Sequence, residues 1–340
     1  MKRKLIIPPA GNGDILFLPD PNQFISELSE GVRAGVCHQP YFFHPGISLK
    51  FIFLESFPKI RKAIIFLDTD KVNIRVKIPV SSNASQSIEF IINNSILFEF
   101  NNINEYLLNQ FFKSIEFNLY NSDINTINIT RASWMRFKEI FLKNRDKKFL
   151  KETLAESFLE YYQMEGDYRF LSDLLKGEEY KEFFLKIYQD APRFRDIFNK
   201  IIDEYGKTFR FRYKNFPFPK LEEDELPFWI IHNGERIRCF KKDLEHIDLD
   251  HLTVFPRAAT LTLFLRLYIL DIFIHGIGGG NYEWVQDRII ERFFDRVPPP
   301  YAVISGTFLL GKSKERDLPY FLFPPENIKK RVASFMSQFT

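Results

Sequence analysis

A chain of 340 residues, 45% hydrophobic and 27% charged, carries enough apolar side chain for one large domain or two ordinary ones, and too much for global disorder. With 47 Lys and Arg against 44 Asp and Glu the net charge is only +3, and the basic residues interleave with acidic ones, which argues against a nucleic-acid partner. Two cysteines, Cys37 and Cys239, without a spaced Cys/His array argue against a disulfide framework or a structural zinc site. A reducing, cytoplasmic setting is expected. The 39 phenylalanines are read as codon bias rather than as an aromatic binding surface.

Residues 1–9 carry Lys2, Arg3 and Lys4 but too short an apolar run before Pro8 for a signal peptide. The longest apolar stretch, 261–274, is interrupted by Arg266 and Asp271, so no membrane span is expected. In chain order, residues 32–37 and 62–67 are continuous apolar runs, the mark of strands buried on both faces. Between them Pro45 opens a helix with Ile47, Phe51 and Leu54 at helical spacing, giving a βαβ unit. Residues 72–79 are read as an edge hairpin and 81–87 as a polar loop.

The second zone is helical, with Trp134, Phe137, Ile140 and Phe141 on one face and helices over 167–176 and 192–205, the latter stopped by Gly206. The third zone resumes with a hairpin, 228–232 and 236–240, around Asn233-Gly234. A buried helix over 258–274, a glycine turn, a helix over 282–294, a strand over 301–305 and a short helix over 326–339 follow. The expected fold is α/β, a Rossmann-like parallel-sheet core in two parts, 1–130 and 211–340, with a helical insertion, 131–210.

Three segments carry candidate chemistry. The first holds His38, Gln39, His44, Gly46 and Lys50, where a strand gives way to its helix. Ligands of open α/β sheets bind at such strand ends, where backbone N–H groups favour anions. The second, Asp68 and Asp70, follows the next strand, with carboxylates able to orient an amine or polyol or to hold a divalent ion. The third runs His275-Gly276-Ile277-Gly278-Gly279-Gly280-Asn281-Tyr282. Read as lying between two helices, it is not the dinucleotide fingerprint, yet its glycines permit close backbone approach to a ligand. Asp271 and His275, four apart on the expected helix, place a carboxylate beside the imidazole. Arg257 and Arg266 need either an internal carboxylate or an anionic ligand. Cys37 is read as a buried, inert thiol, since neighbours on a strand face opposite ways.

The run from Gly35 through His38-Gln39-Pro40, Pro45-Gly46 and Lys50 to Asp68 and Asp70 resembles a motif series of the bacillithiol-synthesis cysteine-adding enzymes. Phe228, Gly234, Arg236, Pro256, Arg257, Asp271, Gly278, Gly279 and Tyr282 follow in the order of that family's later block. A nearer likeness is to uncharacterised bacterial proteins with HQPxxFHPG and HGIGGxxYD signatures. The likeness covers about a third of the chain and implies a Rossmann-like core and a shared site location, not a shared substrate. His38 stands where the family has glutamine, the acidic cluster shrinks to Asp68 and Asp70, and His275 is added.

The function expected is a small-molecule ligase or transferase joining an amine- or thiol-bearing substrate to an anionic or activated partner. His38 or His44 is the candidate general base or phosphate donor, Asp68 and Asp70 orient the amine or a metal, His275 is a further catalytic candidate, and Arg257 with residues 276–280 binds the anion. The cofactor is left open between a nucleotide and a divalent ion. Rival readings are a non-catalytic sensor with an inherited pocket, a nucleotidyltransferase, and a divalent-metal hydrolase.

Overall fold

The strands expected on the strength of continuous apolarity form the centre of the molecule. A computed structural model describes residues 14–41, 45–81, 84–100, 104–122, 127–209, 218–232, 235–244, 254–308 and 324–339. In the first part these form β1 (Ile15–Leu18), α1 (Pro21–Glu27), β2 (Arg33–His38), α2 (Pro45–Glu55), β3 (Arg61–Phe66), β4 (Lys71–Ser81) and β5 (Ala84–Ile96). A mainly helical stretch follows: α3 (Glu105–Tyr120), α4 (Ile127–Asn144), α5 (Leu150–Tyr162), β6 (Tyr168–Phe170), α6 (Leu171–Leu174), α7 (Glu178–Gln189) and α8 (Ala191–Phe209). The last part holds β7 (Glu225–His232), β8 (Glu235–Phe240), β9 (Val254–Pro256), α9 (Ala258–Phe264), β10 (Ile272–His275), α10 (Ile277–Gly280), α11 (Glu283–Ile289), β11 (Tyr301–Gly306) and α12 (Pro325–Met336).

The main sheet has the order β1-β11-β10-β2-β3-β6, and only β1 pairs antiparallel. The chain therefore starts its parallel strands at β2, moves outward through β3 and β6, and returns to the other side of β2 for β10 and β11. Alternate residues feed two cores. Ala34, Val36, Ile64, Phe66, Ile272 and Ile274 pack on one face with α2, α5 and α12. Ile65 and Phe273 pack on the other with α7, α8, α9 and α11. Both faces being covered is why the strands read as unbroken apolar runs. The helix α2 lies so deep that Ser48 to Leu54 are all buried, with the Phe51 ring edge-on to Phe158 at 4.8 Å. Full burial of a phenylalanine of this kind is worth about 1.5–3 kcal/mol.

Smaller sheets flank the main one. The pair β4–β5 is a separate two-stranded ribbon, and β8-β7-β9 a three-stranded antiparallel sheet. Among the described residues no helix is long and apolar enough to cross a membrane.

Several local expectations are corrected. Residues 84–87, taken for loop, belong to strand β5. Of residues 167–176 the first part is β6, which hydrogen-bonds to β3, so the helical zone supplies an edge strand to the main sheet. Gly206 lies inside α8 rather than stopping it.

The largest change falls on 258–274. The helix ends at Phe264, a π-helical turn covers Leu265–Ile269, and Ile272–His275 is the central strand β10. A short, fully buried apolar run has no polar alternation to separate strand from helix, and only Leu270-Asp271 divides the two here. Consequently the glycine turn does follow a strand and opens the short helix α10.

Candidate functional site

Because β2, β3, β10 and β11 run parallel, their carboxyl ends gather at one edge of the sheet. A cavity of about 860 Å3 lies there. It is lined by Cys37, His38 and Gln39 from β2 and the residue after it, by Gly46, Ile47 and Lys50 from α2, and by Thr69 and Asp70 after β3. From the other side come His275, Gly276, Gly278, Gly279 and Tyr282, with Ser305 of β11. The two distant segments thus share one crevice, at the place where the order of parallel strands reverses, between β2 and β10.

Opposite the polar edge stands an apolar wall of Phe198, Phe218, Leu221, Trp229 and Phe255. The outer hairpin brings Arg236, and Arg257 precedes α9. Trp229 and Phe255 were not among the expected site residues, and Arg236 entered only as a position of the resemblance. The one available signal was a positive charge placed within a strand pattern.

Each charged group can be followed to its partners. The Asp70 carboxylate accepts from Gln39 Nε2 at 2.5 Å and from Arg236 Nη2, which also donates to the Thr69 carbonyl at 2.6 Å. Both its oxygens are engaged, so Asp70 fixes the cavity wall. Arg257 found the internal carboxylate: its guanidinium donates to Glu225 at 2.7 Å and stacks over Trp229 at 4.3 Å. Burial acts to raise the Glu225 carboxyl, but donation from Arg238, the Glu222 N–H and Arg257 holds it down at about 2.

Lys50 differs. It is 5% exposed, and its ammonium donates to the Cys37 carbonyl at 2.8 Å. No carboxylate pairs with it among the described residues. Burial pushes it down to about 8, against a small opposing effect of Cys37. The Cys37 thiol is itself pushed up to about 12 by burial, which removes it as a nucleophile near neutral pH. His38 Nδ1 lies 3.0 Å from the Gln39 carbonyl; since a carbonyl only accepts, Nδ1 is the donor in that contact.

Four expected site residues lie elsewhere. Asp68 is fully buried, accepting from Lys151 at 2.8 Å, from Ser172 Oγ at 2.5 Å and from the Ser172 N–H at 2.9 Å. It ties β3 to α5 and α6 and does not line the cavity, because its side chain turns into the core while that of Asp70 turns out. Asp271 sits at the opposite end of β10, where it accepts from the Arg33 N–H at 2.8 Å. The strand that replaced the helix carried it away from His275. Neither Gly280 nor Asn281 lines the cavity, and the Asn281 carbonyl accepts from Tyr205 at 2.7 Å. His44 lies outside the described residues. Arg266, the other isolated cation, is buried against Glu283 and Asp287.

The glycines divide in the same way. A Cβ at Gly280 would lie 2.3 Å from Val303 Cγ2, whereas Gly276 and Gly278 have nothing within 4 Å. Gly280→Ala is therefore expected to cost roughly 1–3 kcal/mol by overpacking, part of it recovered by adding Val303→Ala. Gly276 has φ −84°, which alanine adopts without strain, so Gly276→Ala is expected to leave stability within about 0.5 kcal/mol. Urea unfolding of the three variants checks both.

The chain matches no protein-family model, and no curated protein matches it significantly. Among the described residues no group of three or more His, Cys, Asp or Glu side chains converges as a metal site requires. The metal-hydrolase reading is not carried further.

Proposed function

We propose that this chain is a ligase or transferase of Rossmann-like fold that joins an amine- or thiol-bearing small molecule to an anionic, activated partner. Counted along the chain, the five parallel strands lie in the order 5-4-1-2-3 across the sheet, the doubly wound order read from its far edge. Folds of this kind place their ligand at the switch point, where the cavity is. The observation that carries the reading is Lys50, a buried cation facing a small-molecule cavity with no carboxylate paired to it among the described residues. Holding such a charge out of water is costly unless a ligand supplies the missing anion. Gly276 and Gly278 line the same cavity, with nothing within 4 Å of where a Cβ would lie, which leaves room for an anionic group.

In the reaction the substrate's N–H or S–H loses its proton to a base in the cavity. The freed lone pair attacks the electrophilic atom of the activated partner, and the leaving group departs with the bonding pair. His38 and His275 are the described bases that line the cavity.

The test is incubation of the protein with ATP and with sugar phosphates, each paired with cysteine or an amino sugar, followed by mass spectrometry. A new covalent product that disappears with Lys50→Met is the expected result. Saturable binding of the anions without product from any pair would favour the non-catalytic sensor instead.

A further inference from the structure

Behind the glycine turn a chain of buried polar groups leads away from the cavity. His275, 6% exposed and lining the cavity, has its Nε2 pressed against Oε1 of the fully buried Glu283, and neither atom has another hydrogen-bond partner among the described residues. The other Glu283 oxygen holds the Arg266 guanidinium, which also donates to Asp287 at 2.9 Å and to the Pro299 carbonyl. Rings close the remaining sides, Phe273 at 4.0 Å and Tyr301 at 6.3 Å between centroids.

An ionised carboxylate only accepts hydrogen bonds, so a neutral His275 facing Glu283 carries its proton on Nε2. Nδ1 is then the nitrogen with a free lone pair. A Cβ at position 279 would lie 2.3 Å from that atom, so only glycine leaves it uncovered, and Gly279 lines the same cavity.

We propose that His275 Nδ1 is the proton acceptor of the coupling reaction and that Glu283, pinned by Arg266, is the residue that positions it. This rests on the reading of the cavity as a ligase or transferase site and decides which imidazole serves. When Nδ1 takes the proton from the substrate's N–H or S–H, the lone pair left on nitrogen or sulfur attacks the partner. With both carboxylates ionised, Arg266, Glu283 and Asp287 together carry one net negative charge, which the imidazolium formed in this step neutralises. Of these three groups, substrate touches His275 alone. Glu283 acts through it, as the orienting acid of a catalytic triad does.

The tautomer can be read without any ligand from the imidazole 15N shifts of the full-length protein, His275 being assigned by its loss in His275→Asn. In the neutral ring a protonated Nε2 and a pyridine-type Nδ1 are expected, and Glu283→Gln is expected to shift it toward mixed tautomers. A neutral ring with its proton on Nδ1, or shifts unmoved in a folded Glu283→Gln, would overturn the proposal. Should Glu283→Gln not fold, the wild-type spectrum alone still decides the tautomer. Where the coupling assay gives product, His275→Asn should lower kcat on the order of 10²–10⁴-fold with KM little changed. If no pair gives product, the ligase reading falls on that assay and the spectrum reports on Glu283 independently.

Discussion

Asp68→Ala is expected to destabilise the fold by about 3–5 kcal/mol, the cost of leaving a buried cation without its partner. Lys151 is buried with Asp68 and Ser172 as its polar neighbours, and its ammonium also sits 4.3 Å from the centre of the Phe170 ring. Removing the carboxylate strands that ammonium and empties two hydrogen bonds to Ser172. These bonds join the end of β3 to the starts of α5 and α6, so the loss falls on the seam between the sheet and the helical zone. Replacing both partners, Asp68→Ala with Lys151→Met, should recover most of the stability, because an apolar pair has no unmet charge. Urea unfolding of the single and double variants measures this. A stable Asp68→Ala protein that had lost ligand binding would mean that Asp68 serves the site directly.

Lys50 should behave in the opposite sense. Its ammonium is held at about 8 by burial, against an ordinary value of 10.5, a difference worth roughly 3 kcal/mol. The unfolded chain keeps this proton up to about 10.5, while the folded chain gives it up near 8. Between those values the unfolded state binds more protons, so the contribution of Lys50 to stability rises with pH across that window. Below pH 8 both states hold the proton and the full cost of the buried charge stands. Lys50→Met removes that cost and also the bond to the Cys37 carbonyl, worth about 1 kcal/mol. The variant should therefore be more stable than the natural protein by on the order of 2 kcal/mol at pH 7, the gain shrinking as pH approaches 10.5. Denaturation at pH 7 and pH 10 gives the comparison, and taking the difference between the two proteins cancels the buried tyrosines away from Lys50, which titrate at high pH in both. A variant less stable at pH 7 would show that Lys50 is a structural group with its charge already satisfied.

A protein that keeps a destabilising charge in its cavity is what a stability–function compromise looks like at one residue. The same comparison separates Lys50 from Arg257 and Arg236, whose charges are met by Glu225 and Asp70.

Much of the sheet was legible because its strands are buried on both faces. The runs at 33–38, 61–66 and 301–306 contain few polar residues that could be read otherwise, and Pro45 marks the start of α2. The strand β10 was not legible, because its three apolar residues before His275 follow a buried helix and a π-helical turn with only Leu270-Asp271 between. That single misreading moved Asp271 from one end of the sheet to the other and hid the strand–turn–helix setting of the glycines.

At the site, the two glycine- and histidine-bearing segments could be named from local chemistry alone. Which carboxylate turns inward could not. Asp68 and Asp70 are two residues apart, and only their neighbours from α5, α6 and β8 separate a core anchor from a cavity wall. Glu283 was hidden for the same reason, since it reads as an ordinary first-turn acid of a helix until His275 is seen against it.

On the proposed reading, the crevice between β2 and β10 is an anion site built around Lys50. Calorimetric titration of ATP, pyrophosphate and citrate into the natural protein and into Lys50→Met tests it most directly. One saturable site in the natural protein, weakened about ten- to a hundred-fold by the substitution, is the predicted outcome. Equal affinity in the two proteins, or no uptake of any of the three anions, would contradict it.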